Sequence, residues 1–226
     1  MSITLILPVY NEAKNIAACV ENLRALQGEA EILFADGGSS DETVPFLEGA
    51  GFRVIRCPKG RARQMNTAAK EAAGDILFFS HCDSILPPDA LTAIEAAAAA
   101  GTRFGCFTIA FDYDGPFMGC NTFNSNLRSR CLHIAFGDQG MFLERSLFEE
   151  MGGFPEIPIM EDYELSLRLR KKRVPLRVLP QTIVTSGRRY RTAHPLRTMW
   201  QMFYLRCRYR MGMDVEEISR RYRDIR

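Results

Sequence analysis

Acidic and polar side chains recur at the points where short apolar runs of the sequence end. Asp36 closes the apolar run 32–35, and Asp83 follows shortly after the run within 75–80. Short runs of this kind, bounded by glycine or polar residues, are typical of buried strands in a parallel sheet. The carboxyl ends of such strands meet at one edge, which is where open α/β sheets bind ligands. We therefore expect the two carboxylates to share one ligand site.

A turn with two glycines and two serines follows Asp36. The Asp36 carboxylate can accept two hydrogen bonds from a flat donor such as a nucleobase edge or a ribose diol. Gly37 and Gly38 have no Cβ and let the backbone approach a ligand closely. A simpler interpretation is a strand-to-helix turn in which Ser40 or Asp41 caps the helix. One glycine-rich turn does not distinguish the two interpretations.

Asp83 and His81 form a second candidate binding group. Asp83 offers the hard oxygen that Mg²⁺ or Mn²⁺ binds together with phosphate oxygens. His81 would point the same way on an extended backbone and could bind ribose, phosphate or Mn²⁺. Asn11 and Glu12 follow the first predicted strand in a similar way. Each residue alone is best explained as a cap, but together they fit a site for a nucleoside diphosphate and a divalent cation.

Further charged groups lie in the second half of the chain. Glu161 and Asp162 open a predicted helix, where acids in the first turn also favour the helix dipole. Asp138 lies in a Gly-Asp-Gln-Gly segment and could bind a sugar or an acceptor, or cap a turn. Arg188 and Arg189 can fork onto phosphate oxygens.

Strand and helix patterns alternate along the first hundred residues, which predicts an α/β fold with a parallel, doubly wound sheet. Asn11 is the expected N-cap of the first helix. The second half is less regular and ends in two helices. The predicted strands are 3–9, a strand ending at 36, 52–57, 75–80, 103–112, 140–143, 176–179 and 182–186. The principal predicted helices are 61–73, 87–101, 121–131, 161–172, 195–211 and 215–223.

Charge and cysteine content narrow the class of protein. The chain has 226 residues and a net charge of +2, but residues 188–226 carry eleven arginines against four acidic residues. A basic tail on a mildly acidic body suggests an anionic partner, either a phosphate-bearing ligand or a membrane surface, and fits nucleic-acid binding poorly. Seven scattered cysteines without a C-x-x-C pair indicate free thiols in a reducing compartment. His133 and His194 have no partner at ligand spacing and are interpreted as structural.

The start of the chain reads as a first strand rather than a signal peptide, because it has no basic segment and no small-residue cleavage site. No run reaches the ~18 apolar residues that a membrane-spanning helix requires. The sequence therefore predicts a cytoplasmic protein. The only low-complexity stretch is the alanine run at 96–100, and no internal repeat or linker is evident.

Four short motifs occur in an order and at a spacing that resemble the family 2 glycosyltransferases. They are PVYNE at 8–12, DGGSSD at 36–41, GRARQMN at 60–66 and ED at 161–162. The resemblance covers roughly residues 2–190 and is strongest to a small bacterial subgroup. It implies the GT-A fold, a mostly parallel sheet flanked by helices, and an inverting transfer from a nucleotide-diphospho-sugar, with uridine as the usual base. Residues 1–190 would then be the catalytic domain and 191–226 a basic amphipathic helical extension.

The resemblance also implies roles for individual residues. Asp162 would be the catalytic base, with Glu161 beside it, and Asp83 would hold a divalent cation, Mg²⁺ or Mn²⁺. His81 stands where the family has the first aspartate of a D-x-D motif, which leaves Asp83 as the one carboxylate ligand. The expected donor-binding residues are Pro8, Tyr10, Glu12, Asp36, Gly38, Arg61, Gln64, His81, Arg188 and Arg189.

The segment 195–211 has an apolar stripe at helical spacing, made of Leu196, Met199, Trp200, Phe203, Cys207 and Met211. Two hypotheses fit this stripe. The helix could pack on the catalytic domain, or it could dock on anionic lipid, as basic amphipathic helices with aromatic residues do. Docking would place the protein at the inner face of the membrane and would suit a lipid acceptor.

Three other functions remain for comparison. A sugar-phosphate nucleotidyltransferase would need a glycine-rich basic loop after the first strand, and residues 11–14 do not supply one. A non-catalytic nucleotide-sugar-binding protein would need the same pocket but not Asp162. A dinucleotide oxidoreductase is disfavoured because no G-x-G-x-x-G follows the first strand.

Overall fold

The computed structural model describes residues 1–192 and 195–223, so His194 lies outside the described residues. The described residues contain eight strands in a single sheet. The strands are β1 (Ile3–Val9), β2 (Glu31–Asp36), β3 (Arg53–Arg56), β4 (Ile76–Phe79), β5 (Ser84–Ile85), β6 (Phe104–Phe111), β7 (Met141–Glu144) and β8 (Arg177–Thr185).

Ten helices and one 3₁₀ turn are found in residues 1–192 and 195–223. The helices before the 3₁₀ turn are α1 (Ile16–Arg24), α2 (Thr43–Gly49), α3 (Arg61–Glu71), α4 (Ala90–Ala99) and α5 (Met118–Leu132). The 3₁₀ turn, Gly137–Gln139, precedes β7. The later helices are α6 (Arg145–Glu150), α7 (Glu161–Lys171), α8 (Arg188–Thr192), α9 (Pro195–Arg210) and α10 (Val215–Arg223).

The sheet has the order β3-β2-β1-β4-β7-β6-β8-β5. Strands β1 to β4 are parallel, as the alternation of strand and helix predicts. Strand β7 is antiparallel to both β4 and β6, and β5 is antiparallel to β8. The sheet is therefore parallel in its first half and mixed in its second, which gives the mostly parallel α/β architecture expected.

Both faces of the sheet are covered. On β1, Leu5 and Leu7 point into one apolar cluster and Ile6 into another on the opposite face. All three side chains are at most 1% exposed. A strand buried on both sides needs apolar residues at every position rather than at every second one. This explains why β1 is apolar at every position except Thr4, whose hydroxyl donates to Glu31 (2.7 Å), and why its bounds could be predicted.

Two local expectations are wrong. The first helix begins at Ile16 with Asn15 at its N-cap position, whereas Asn11 adopts a left-handed conformation with φ of 53°. The expected pair of strands at 176–186 is a single strand, β8, whose register with β6 shifts between Leu179 and Thr182. Pro180 has no N–H for the ladder, so a bulge at 180–181 lets one strand continue past it.

The C-terminal helices pack on the body through a third apolar cluster. Leu205 of α9 and Ile218 of α10 join Ile134 and Tyr163 in this cluster, and all four side chains are at most 4% exposed. The opposite stripe, which runs along α9 and ends at Met211 just beyond the helix, faces solvent, with exposed fractions of 43%, 66%, 50% and 68% for Leu196, Trp200, Phe203 and Met211 respectively. No helix within the described ranges has the length and apolar character needed to cross a bilayer.

Candidate active site

Two loops at the carboxyl end of β1 and β2 are joined by hydrogen bonds. The backbone N–H of Asn11 donates to Ser39 Oγ (2.9 Å), and the Asn11 side chain accepts from the N–H of Ser40 (2.8 Å). The Glu12 N–H donates to Thr43 Oγ1 (2.8 Å). These bonds hold the segment that follows each strand in one arrangement. Tyr10 lies at the rim, 39% exposed, with Lys59 Nζ 3.9 Å from its ring centroid.

The Asp36 carboxylate stabilises its own turn. It is fully buried and accepts the N–H groups of Gly38 (3.1 Å) and Ser39 (3.0 Å), while an Arg56 Nη1 lies 3.4 Å away. These bonds use acceptor sites on both carboxylate oxygens, so part of the hydrogen-bonding capacity of Asp36 serves its own turn. Gly38 has a φ of +88°, a conformation that favours glycine. Asp41 accepts the Thr43 N–H (3.0 Å) at the start of α2, but the N-cap position is Glu42 and not Ser40 or Asp41.

The Gln64 side chain links the ends of β1 and β2. Its buried side-chain amide donates to the carbonyl oxygens of Val9 and Ala35, both at 2.8 Å. A Cβ on Gly37 would lie only 2.9 Å from the Gln64 side chain, so the close packing depends on that glycine. Gln64 therefore lies near the expected nucleotide pocket, and its amide holds the two strand ends together. Pro8, half-buried on β1 beside Ala35, forms part of the same floor.

Asp162 lies beside His81 at the 3₁₀ turn. The Asp162 Oδ2 accepts the backbone N–H of Gly137 at 2.7 Å. A Cβ on Gly137 would lie 2.8 Å from His81 Nε2 and 3.3 Å from Asp162 Oδ2, so only glycine permits this approach. Residues 81–84 form a turn closed by the bond from Ser84 N–H to His81 O (3.2 Å). The expectation that His81 and Asp83 lie on extended backbone is therefore wrong.

The surroundings of His81 favour its neutral form. Burial is the largest cause and lowers the pKa of the His81 imidazole to about 4, and the nearby Arg61 guanidinium adds to the effect. Asp83 and Asp162 act in the opposite direction and are too weak to reverse it. The buried Nε2 has no hydrogen-bond partner in the described part of the chain. A neutral imidazole nitrogen can donate to or accept from a ligand hydroxyl.

Arg61 and Glu161 form an ion pair in the site. Arg61 Nε lies 3.1 Å from Glu161 Oε1 without the alignment of a hydrogen bond. Glu161 is 3% exposed and Arg61 38% exposed. Burial raises the pKa of the Glu161 carboxyl, and Arg61 opposes that rise. In turn, Glu161 is the largest cause of the raised pKa of Arg61, and Asp162 and Asp83 contribute further.

Two arginines follow the end of β8, and their side chains contact different parts of the protein. Arg188 Nη2 lies 3.8 Å from Asp83 Oδ2 and is exposed. Arg189 donates to the hydroxyl of Tyr222 and to Met202 Sδ (3.7 Å), so it links α8 to both C-terminal helices. Tyr190 packs edge-on against Phe111 with ring centroids 5.5 Å apart. Arg188 is thus paired with the expected metal ligand.

Asp138 and Arg128 belong to the site as well. Burial raises the pKa of the Asp138 carboxyl to about 6, and Arg128 opposes this more than any other group. Arg128 donates to Gln139 Oε1 (2.6 Å) and lies 3.6 Å from the Phe136 ring centroid. Sequence reasoning missed Arg128 and Gly137. Arg128 lies in a polar helix segment without a motif, and Gly137 acts through its backbone, so neither gave a signal.

This arrangement offers one carboxylate, that of Asp83, as a ligand for a divalent cation. Residues 1–192 and 195–223 contain no group of three or more His, Cys, Asp or Glu side chains that could hold a metal ion. Mg²⁺ and Mn²⁺, however, are commonly held by one or two carboxylates together with substrate phosphates. Asp83 is about one-third exposed and supplies one such oxygen. The residues present fit a cation that arrives with a diphosphate.

The structure thus brings together five of the predicted site residues, namely Arg61, His81, Asp83, Glu161 and Asp162. Each lies within electrostatic reach of at least two of the others. The predicted nucleotide-binding residues at the ends of β1 and β2 form a separate, hydrogen-bonded floor along the same sheet edge. Arg189 is turned toward the C-terminal helices.

Comparison with known proteins agrees with this architecture. The family described as Glycosyl transferase family 2 matches residues 4–151. The uncharacterized glycosyltransferase Rv1514c of Mycobacterium tuberculosis is 32% identical over 181 residues, which cover 74% of this chain and 68% of that protein. An undecaprenyl-phosphate 4-deoxy-4-formamido-L-arabinose transferase of Pseudomonas fluorescens is 26% identical over 115 residues, covering 44% of this chain and 33% of that protein.

Two solved structures share the fold. The mannosyltransferase PcManGT from Pyrobaculum calidifontis, in complex with GDP-Man and Mn²⁺, has a TM-score of 0.67 at 20% identity and covers 90% of this chain. S. aureus TarS in complex with UDP-GlcNAc has a TM-score of 0.66 at 17% identity and covers 83% of this chain. The matches cover 60% and 59% of the chains of those two structures.

The fold is the GT-A architecture, with acidic and basic side chains gathered at the carboxyl edge of the sheet. The family match and the glycosyltransferase relative identify the chain as a glycosyltransferase enzyme. The chain belongs to glycosyl transferase family 2, which confirms the resemblance drawn from the four sequence motifs.

Proposed function

We propose that the protein is an inverting glycosyltransferase that moves a sugar from a nucleotide-diphospho-sugar, with UDP as the nucleotide, to an acceptor hydroxyl. The observation that supports this most directly is the meeting of Asp162, His81 and Arg61 next to Asp83. Residues 1–190 form the catalytic domain in this proposal, and 191–226 form the helical extension. An inverting transfer is one in-line displacement, so it needs one base and a stabilised leaving group.

Asp162 is the base in this proposal. Its Oδ2 is fixed by the Gly137 N–H at 2.7 Å, and its Oδ1 accepts the N–H of Tyr163 (2.6 Å). A carboxylate held in one orientation can take the proton of an acceptor hydroxyl as the new bond forms. Glu161 acts beside it by orienting Arg61. The leaving diphosphate meets Arg61 and Arg188, whose guanidinium groups stabilise the developing charge, while Arg189 holds α8 against the C-terminal helices.

The nucleotide occupies the floor at the ends of β1 and β2. Pro8, Tyr10, Glu12, Asp36, Gly38 and Gln64 shape this part of the pocket, with Asp36 and Gln64 acting by fixing the loops. Asp83 holds a divalent cation, and His81 hydrogen-bonds the ribose or a phosphate. When bound, the cation neutralises diphosphate charge. UDP is favoured by the family resemblance, and GDP is the alternative suggested by the GDP-Man named for the mannosyltransferase relative.

We expect Mn²⁺ to increase the thermal stabilisation that UDP or GDP gives the wild-type protein, because ligands that bind only the folded state raise its stability by mass action. The variant Asp83→Asn should lose the Mn²⁺-dependent part of the shift and keep the part due to nucleotide alone. A thermal-shift panel of UDP, GDP, UDP-sugars and GDP-mannose, each with and without Mn²⁺, measures both. Asp114→Asn, an exposed control, should behave as the wild type does. An unchanged Mn²⁺ effect in Asp83→Asn contradicts the metal assignment.

We propose in addition that α9 docks on an anionic membrane surface, which suits a lipid acceptor and a location at the inner membrane face. The stripe of Leu196, Trp200, Phe203 and Met211 faces solvent, and Arg197 beside it is also exposed. Exposed aromatic and aliphatic side chains next to arginines are the features of an interfacial helix. The other sequence hypothesis, that the helix packs on the catalytic domain, agrees with the burial of Thr198 and Leu205 on another face of α9, and this packing leaves the stripe exposed.

The docking proposal predicts more sedimentation with vesicles containing anionic lipid than with neutral vesicles. The double variant Trp200→Ser, Phe203→Ser should reduce that binding about tenfold or more, since each aromatic buried in lipid contributes ~1.5–3 kcal/mol. Its melting temperature should stay unchanged because both side chains are at least half exposed. The control is Phe123→Ser on α5, which is 65% exposed. Equal binding to neutral and anionic vesicles, or no binding, contradicts the proposal.

A further inference from the structure

The backbone around Asp138 is held firmly on both sides. Gly137 donates its N–H to Asp162, and the buried side chain of Gln139 donates to Phe107 O (3.3 Å) and Ser129 Oγ (3.2 Å). The 3₁₀ turn therefore has little freedom to move. The position of the Asp138 carboxyl group is consequently fixed relative to Asp162.

The Asp138 carboxyl group has an unused acceptor. Its Oδ1 is buried and has no hydrogen-bond partner among the residues that the structure describes. A buried acceptor without a donor destabilises the folded state. Arg128 does not satisfy this oxygen, since its guanidinium donates to Gln139 Oε1 and Ile134 O instead. The fold thus keeps the Asp138 Oδ1 buried without a partner among the described side chains, at a cost in folding stability.

The charges around Asp138 locate it within the site. Asp162, the proposed base, lies within electrostatic reach, and so does Arg61, which we assign to the diphosphate. In an in-line displacement the base and the leaving group stand on opposite sides of the reacting carbon. Asp138 follows Gly137, whose N–H binds Asp162, and it lies within reach of Arg61, so its unpartnered oxygen lies near the sugar that is transferred.

We propose that Asp138 accepts a hydrogen bond from a hydroxyl group of the donor sugar and so selects the nucleotide-sugar over the free nucleotide. This inference depends on the proposed glycosyl transfer from a nucleotide-sugar. It assigns to Asp138 a specificity role that is distinct from the base Asp162 and from the groups that bind the diphosphate. It also explains why the unsatisfied oxygen lies in the site and not on the surface.

The test compares affinities for sugar-bearing and sugar-free nucleotides. Isothermal titration of the full chain with UDP-GlcNAc, UDP-glucose, GDP-mannose, UDP and GDP, all with Mn²⁺, identifies the wild-type donor among these probes. Asp138→Ala should weaken binding of that donor about 10- to 100-fold, as expected for a hydrogen bond to a charged group. Binding of the matching UDP or GDP should change less than about twofold. Asp138→Asn, which keeps one acceptor oxygen, should fall between the two.

The controls separate this effect from misfolding and from failure of the proposed function. Without ligand, both Asp138 variants should unfold in one cooperative transition, which shows that the fold persists; the loss of a carboxylate near the half-buried Arg128 offsets the gain from removing an unsatisfied acceptor. Asp114→Asn should bind every probe as the wild type does. Equal weakening of nucleotide and nucleotide-sugar, or no weakening, overturns the inference while the proposed function stands. Absence of wild-type binding to all five probes overturns the proposed function, and the inference with it.

Discussion

Replacement of Asp162 by asparagine is expected to lower nucleotide-sugar hydrolysis by about 10²–10⁴-fold, because the positioned base that activates the acceptor hydroxyl, or water in its place, is lost. The asparagine side chain keeps one oxygen for the Gly137 or Tyr163 N–H, so the fold should persist. Nucleotide affinity should remain close to that of the wild type. The measurement is release of UDP or GDP from the donor that the thermal-shift panel identifies.

Glu164→Gln is the matched control for this experiment. Glu164 lies in the same first turn of α7 but pairs with Arg168 (3.0 Å) and Tyr209 (2.7 Å), away from His81 and Asp83. Its replacement should leave the rate within about threefold of the wild-type rate. A wild-type rate in Asp162→Asn would show that another group is the base. Binding of nucleotide-sugar without turnover by the wild type would favour the non-catalytic binding protein.

Replacement of Arg61 by methionine is expected to destabilise the protein by about 2–3 kcal/mol, which corresponds to roughly 4–12 °C in melting temperature for a chain of this size. The loss leaves the carboxylate of Glu161, 3% exposed, without its counter-charge. Removal of one partner of a fully buried pair costs more, but Arg61 is 38% exposed and solvent screens part of the interaction. Thermal or denaturant unfolding measures the difference from wild type.

Two comparisons isolate the charge effect. Arg63→Met removes an exposed pair with Glu156 at 3.2 Å and should cost at most about 0.5 kcal/mol. The double variant Arg61→Met, Glu161→Gln should recover most of the stability that the single variant loses. A double variant as unstable as Arg61→Met would mean that Arg61 acts through packing alone.

The Arg61→Met effect should also depend on pH in a definite direction. Burial raises the pKa of Glu161 above its usual 4.5, and without Arg61 that rise is no longer opposed. A carboxyl group whose pKa is higher in the folded state binds its proton more tightly there, so the stability of the variant falls as pH rises from about 4.5. The deficit relative to wild type should therefore shrink between pH 7 and pH 5. A constant deficit over that range contradicts the assignment.

Much of the nucleotide-binding half could be predicted from sequence. The bounds of β1, the end of β2 at Asp36 and the start of α3 at Arg61 agree with the structure. These features depend on apolar runs and on glycine, proline and capping residues within a few positions of one another, so local patterns suffice. The motif at 8–12 and the glycine turn after Asp36 likewise identified the loops that the structure joins by hydrogen bonds.

The second half was less predictable because its chemistry depends on contacts between distant segments. Gly137 meets Asp162 and His81 across 25 and 56 positions of sequence. No local pattern indicates that β7 runs antiparallel to its neighbours, or that Arg128 turns toward Phe136 and Gln139. Asp36 was expected to face a ligand, and the structure adds that its carboxylate also holds its own turn through the N–H groups of Gly38 and Ser39.

The sequence by itself determined the α/β class, the family, and which residue types could bind a nucleotide-sugar, because period, turn chemistry and motif spacing are local properties of the chain. The tertiary structure decided which of those residues meet. It brought Arg61, His81, Asp83 and Asp162 to one edge and left an Asp138 oxygen without a partner among the described residues. It also turned the apolar stripe of α9 toward solvent. A helical pattern specifies that a face exists, but only packing against the rest of the chain specifies where that face points.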